Sequence, residues 1–112
     1  MSRTSTPRSD PESAKLAIIA TATKMLAGEM DLIEGCRTIL RYRDQLTERL
    51  DALFVTLEGI ESETDDFPVG IVRDAWDPSA LNMKDMKKEE YLRGAKGPLL
   101  EACREIISKL SN

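Results

Sequence analysis

From Leu32 to Ile60, apolar side chains return at helical spacing, most of them three or four positions apart: Leu32, Cys36, Ile39, Leu40, Leu46, Leu50, Leu53, Leu57 and Ile60. That spacing is one face of an α-helix, and no proline interrupts it. A single helix over 31–60 would be about 45 Å long at 1.5 Å per residue. The chain has 112 residues, a single domain of ordinary size, and a rod of that length does not pack compactly inside one. The run must therefore break. A break is expected near Thr47, whose side chain can cap a third helix running to Gly59. Over Leu46–Ile60 the same pattern is heptad-like, which suits pairing with another helix.

Helical signals extend to both ends of the chain. Ser9 or Asp10 can cap a first helix, Pro11 suits its first turn, and Ser9 with Glu12 has capping-box spacing. Leu16, Ile19, Thr23, Leu26 and Met30 then form the expected buried stripe, with an end near Gly28. Asp31 is placed to cap the second helix. Gly35 lies inside that helix, where glycine costs about 1 kcal/mol against alanine, so a close approach of another element is expected there. Asp77-Pro78 starts a further helical piece. From Lys84 to Leu110, Tyr91, Leu92, Leu99, Leu100, Cys103, Ile106, Ile107 and Leu110 supply the apolar side. Gly94, Gly97 and Pro98 predict a kink or break in that region, with the last helix starting at Pro98.

Composition agrees with helices. Aromatics are 4% of the chain and hydrophobic residues 41%, so the core must be built from Leu, Ile, Ala and Met. Only FVTL and VGIV lean toward strand, and both are short. The expected fold is all-α: a bundle of four to five helices over residues 10–112, with an ordered acidic loop and a disordered N-terminal arm over residues 1–9.

Several chemistries are excluded or weakened. The chain has no histidine, which removes the usual general base near neutral pH, the His-paired nucleophiles and every His-ligated metal site. Cys36 and Cys103 stand far apart without zinc spacing and read as reduced thiols in the core. A net charge of −4, with no basic block, suits neither duplex DNA nor another nucleic acid. No signal peptide and no membrane span are read, and the expected location is cytoplasmic.

The polar interest centres on ESETDDFPVG, residues 61–70. As a calcium loop starting at Glu61 it fails: the sixth position is Asp66 rather than Gly, and the twelfth is Val72 rather than Glu. A magnesium or manganese site has more to draw on. Glu58 and Glu61 form an ExxE pair and Glu63 and Asp66 an ExxD pair, spacings that all-α nucleotide pyrophosphohydrolases use on two facing helices. Here the pairs abut, so the second set would have to come from Asp85, Glu89 and Glu90. Solvated acids at a helix end are the commoner arrangement. A third reading makes the acids a latch: Arg37 or Arg73 pairs with Glu34, Glu63 or Asp65, pinning the loop to the second helix, and Gly35 leaves room for it. Trp76, the only tryptophan, is expected as a packed lid on the core; if exposed, it is a contact hot spot.

DLIEGCR at 31–37, SETD-x-x-PVG-x-VR-x-x-W at 62–76 and EACREII at 101–107, in that order, resemble a small bacterial family known as a domain of unknown function. The resemblance spans about residues 20–110. It implies a compact helical domain and brings no activity with it.

Three functions follow as expectations. The first is a non-catalytic helical protein that works through a protein partner or as a homodimer and needs no cofactor. The second is a metal-dependent hydrolase of phosphorylated small molecules using Glu58 and Glu61. The third is anion or small-ligand binding between Arg37, Arg73 and Trp76. The polar cluster to follow is Glu34, Arg37, Glu63, Asp65, Arg73 and Trp76. No catalytic residue is assigned, and the balance leans away from an enzyme.

Overall fold

Local start and stop signals shape the helices of the computed structural model, which describes residues 11–47, 50–64 and 75–111. Helix α1 spans Pro11–Leu26, α2 Leu32–Arg43, α3 Asp51–Glu63 and α4 Pro78–Ser111. No strand occurs among the described residues. Helix α1 packs on α2 and α4, and α3 packs on the same two, so the four close into an all-α bundle. The N-terminal arm and its capping residues lie outside the described residues.

Helix α1 ends as its glycine predicts. Gly28 has φ +75°, a left-handed conformation that glycine adopts without a Cβ penalty. Its N–H donates to the Met25 carbonyl at 3.2 Å, and the Glu29 N–H donates to Lys24 at 2.9 Å. Two carbonyls orphaned by the helix end are thereby satisfied, in the Schellman pattern. Asp31 Oδ2 then caps α2 by accepting from the Glu34 N–H at 2.9 Å. Asp77 does the same for α4, accepting from Ser79 and Ala80 at 3.1 and 3.2 Å, with Pro78 in the first turn where its missing N–H costs nothing.

The buried face of α1 is not the expected stripe. Ala14, Ile18, Thr21, Ala22 and Met25 are buried, whereas Leu16 is 60% exposed and Thr23 is exposed. At 100° per residue the two stripes point about 140° apart. Ala14 and Ala22, both at 0% exposure, explain the rotation: small side chains let a neighbouring helix approach closely, while Ile19, Leu26 and Met30 pack at the margin of the core.

The long run from Leu32 divides as its length requires, between Arg43 and Asp51 and so near Thr47, but Thr47 is not the cap. Helix α2 stops at Arg43, and Gln45 and Leu46 donate back to Tyr42 and Arg43 in turns. Helix α3 starts at Asp51 after Leu50, which offers no side-chain cap. Leu46 and Leu50 both pack against the core, and burying both turns the chain back on itself. Helix α3 also runs past Gly59. Thr64 closes it, with its N–H on Ile60 O at 3.0 Å and its hydroxyl donating to the same oxygen at 2.7 Å. Residues 61–63 are thus helix rather than loop, and 65–70 lie outside the described residues.

No break occurs at Gly94, Gly97 or Pro98. All three sit within the 34-residue α4, which is about 50 Å long at helical rise. Pro98 is exposed, so the carbonyl it leaves without an N–H partner, that of Gly94, can bond to water. Gly97 lacks the Cβ that would meet the proline ring.

The core is one cluster drawn from every helix. It holds Ile18, Ala22 and Met25 from α1, Cys36 and Ile39 from α2, Phe54, Leu57 and Ile60 from α3, and Leu99 to Leu110 from α4. The heptad-like run is therefore spent inside the monomer: Phe54, Leu57 and Ile60 are buried there, and Val55 is its exposed large side chain.

Candidate functional site

Two residues of the expected polar cluster, Arg37 and Glu63, lie on a seam joining α2, α3 and α4. Helix α2 carries Asp31 at its cap and Arg37 one and a half turns further on. Helix α3 ends beside it at Glu63 and Thr64, and α4 crosses both with Lys88 and Tyr91. The Arg37 guanidinium donates to the carbonyl oxygen of Thr64. That atom belongs to the C-terminal end of a helix, where partial negative charge favours a cation. Tyr91 donates its hydroxyl to Glu63 Oε1 at 2.7 Å. The Lys88 ammonium pairs with Asp31 Oδ1, while Oδ2 of the same carboxylate caps α2. One aspartate thus ties two helices together.

The loop that the expected latch would pin lies outside the described residues. Arg37 holds the residue where the acidic stretch leaves α3 by donating to its backbone carbonyl. Glu63 faces α4. The backbone N–H of Glu34 serves the Asp31 cap, and its carbonyl accepts from the Thr38 hydroxyl at 2.9 Å. Asp65 and Arg73 lie outside the described residues. Gly35 makes room for α1 rather than for a loop, since a Cβ there would stand 2.5 Å from Met25 Sδ. Trp76 is half-buried, with Lys84 Nζ 6.0 Å from its ring centroid, a cation–π arrangement.

The nominated Glu58 also has a partner. Arg43 pairs with Glu58 across the α2–α3 turn and lies 3.5 Å from Asp44 Oδ1, and Arg41 donates to the Thr38 hydroxyl at 3.3 Å. Glu58, half of the ExxE pair, is therefore engaged by a cation. Among the described residues, no group of three His, Cys, Asp or Glu side chains converges on one point. Beside the Arg43–Glu58 pair lies an open groove of about 490 Å³, lined also by Asp51 and Val55. Its charges are of both signs.

The two thiols are buried and free. Cys36 donates to the Leu57 carbonyl at 3.3 Å, and Cys103 Sγ is 3.9 Å from Met25 Sδ. Burial, with the nearby Cys103 and Glu61 adding to it, pushes the Cys36 thiol up to about 12; burial pushes Cys103 up to about 11. Both are thus poor nucleophiles at neutral pH. Tyr91 is also raised, to about 12, by burial and then by its hydrogen bond to Glu63.

Sequence reasoning missed Asp31–Lys88 and Glu63–Tyr91, since the partners stand 57 and 28 residues apart. It also missed α4's outer face, where Met83 and Met86 are 61% and 63% exposed. The signal for that face was present: both methionines fall outside the apolar stripe read for the helix.

Compared with known proteins, the chain matches no family model, no curated protein and no solved structure. No helix among the described residues is long and apolar enough to cross a membrane.

Proposed function

We propose that this chain is a non-catalytic helical protein that acts through protein–protein contacts, as a homodimer, in the cytoplasm. The observation that carries this reading is the exposure of Met83 and Met86, one turn apart on α4. Methionine is adaptable and apolar, and it is over-used at binding surfaces. The polar residues that catalysis would need support the same reading by their engagement: Arg37, Glu58, Glu63 and Asp31 all hold the bundle together.

Two measurements test it. Sedimentation equilibrium of the full chain is expected to give a mass near twice 12.5 kDa. Thermal melts in EDTA, Mg²⁺ and Mn²⁺ are expected to coincide, since an ion that binds the native state raises the midpoint by mass action. A rise of several degrees with Mn²⁺ that vanishes in Glu58→Gln with Glu61→Gln would overturn the non-catalytic reading and favour phosphate-ester chemistry.

A further inference from the structure

Helix α4 has two unlike faces. Leu99, Ala102, Cys103, Ile106 and Leu110 are its buried residues, and none precedes Leu99. On the opposite side, Met83, Met86, Glu90, Gly94 and Gly97 fall within an arc of about 80° at helical spacing. All five are exposed. A Cβ added to Gly94 or Gly97 would meet nothing within 4 Å. Pro98 accounts for Gly97, whose missing Cβ clears the proline ring, but it asks nothing of the side chain at 94. Glycine is among the poorest residues for a helix interior, and the described residues supply no contact that needs it at Gly94.

The order of these residues supplies the missing contact. Two copies of α4 laid antiparallel about a two-fold axis at Glu90 set Met83 of each opposite Gly97 of the other. The same axis sets Met86 opposite Gly94. Both large side chains then meet both small ones in one register, the knob-and-hollow match that close helix packing requires. The charges agree. Lys87 and Arg93 flank Glu90 one turn to either side, and in this register each Glu90 lies diagonal to Lys87 and Arg93 of the other copy. Two carboxylates are thus surrounded by four cations. Among the described residues, Lys87, Glu90 and Arg93 have no ion-pair partner within their own chain. A two-fold contact must be self-complementary in this way.

We propose that the outer face of α4 is the site where a second copy of this chain docks, antiparallel, with Met83 and Met86 seated over Gly97 and Gly94. The proposal rests on the homodimer reading above and names its surface. The two bundle ends then lie apart, because each copy's buried residues sit C-terminal to the contact.

Sedimentation equilibrium of the full chain, from micromolar to millimolar concentration, tests both statements separately. The wild type is expected to dimerise, and Met83→Glu with Met86→Glu to remain monomeric with unchanged helicity. Gly94→Leu gives the sharper readout. Its Cβ meets nothing within 4 Å among the described residues and it improves helix propensity, so the monomer's melting point should rise while dimer affinity falls about tenfold or more. Glu90→Cys should cross-link to itself on mild oxidation with oxidised glutathione, the native thiols being buried. A wild-type dimer that persists in the methionine variant and in Gly94→Leu would overturn α4 pairing and leave the homodimer reading standing. A wild type that is monomeric at millimolar concentration would overturn both.

Discussion

Gly35 on α2 lies directly under the side chain of Met25 on α1, so close that a Cβ on Gly35 would be 2.5 Å from Sδ and 2.6 Å from Cγ. Cγ is near the root of the methionine side chain, and Met25 is 2% exposed among packed neighbours, so it cannot swing clear. Gly35→Ala gains about 1 kcal/mol of helix propensity but overpacks the core, which costs about 1–3 kcal/mol. The expected result is a net loss of about 1 kcal/mol, or about 4–8 °C in the melting midpoint. Combining it with Met25→Ala should give less than the sum of the two losses, because the second change removes the clash. Urea melts of the four proteins in the cycle check this; a stabilised Gly35→Ala would refute the close contact.

Arg37 satisfies a carbonyl at the end of α3. A hydrogen bond made by a charged group contributes about 1.5–3 kcal/mol, and Arg37 is partly exposed, which places the effect at the lower end. Arg37→Ala is expected to lower the melting midpoint by several degrees, and Arg37→Lys by less, since an ammonium can still reach an acceptor. Equal midpoints for Arg37→Ala and wild type would show that the latch is idle.

Asp31 has two tasks that substitution can separate. Asp31→Asn keeps a capping oxygen but loses the charge that faces Lys88; Asp31→Ala loses both. Loss of a cap costs about 0.5–2 kcal/mol. A partly exposed ion pair contributes about 1 kcal/mol or less and weakens with salt. The expected order of stability is wild type, Asn, Ala, with the first gap shrinking in 1 M NaCl and the second unchanged. Chemical melts at two salt concentrations read both gaps.

The buried thiols predict alkaline instability. Cys36 and Cys103 rise from about 9 to about 12 and 11 on folding. Above pH 9 the unfolded chain has already lost protons that the folded chain still holds, so stability falls as pH rises. The contribution is complete below pH 9 and lost progressively as pH passes through 11–12. Tyr91 adds to the loss between pH 10 and 12. Cys36→Ala with Cys103→Ala should flatten the decline that begins at pH 9, while leaving the part due to Tyr91. Melting midpoints from pH 8 to 11 check the slope. Labelling of both thiols by a disulfide reagent at pH 8 should be slow until denaturant unfolds the chain.

The class of fold, the end of α1 and the starts of α2 and α4 could be read from the amino-acid sequence alone. Asp31, Asp77-Pro78 and Gly28 were legible because each acts on backbone groups within four residues of itself, and no distant partner is needed to satisfy them. The two core thiols were legible for a similar reason, since lack of any ligand spacing leaves a cysteine little to be but a small apolar residue. What the tertiary structure decided is everything that depends on how closely two elements approach. Leu16 outranks Ala22 in hydropathy, yet Ala22 is buried, because two helix axes come together over small side chains and not over large ones. Pro98 could stay inside α4 because that side of the helix faces water. Arg37 took a backbone carbonyl on α3, 27 residues away, and no side-chain pattern marks an acceptor that every residue carries.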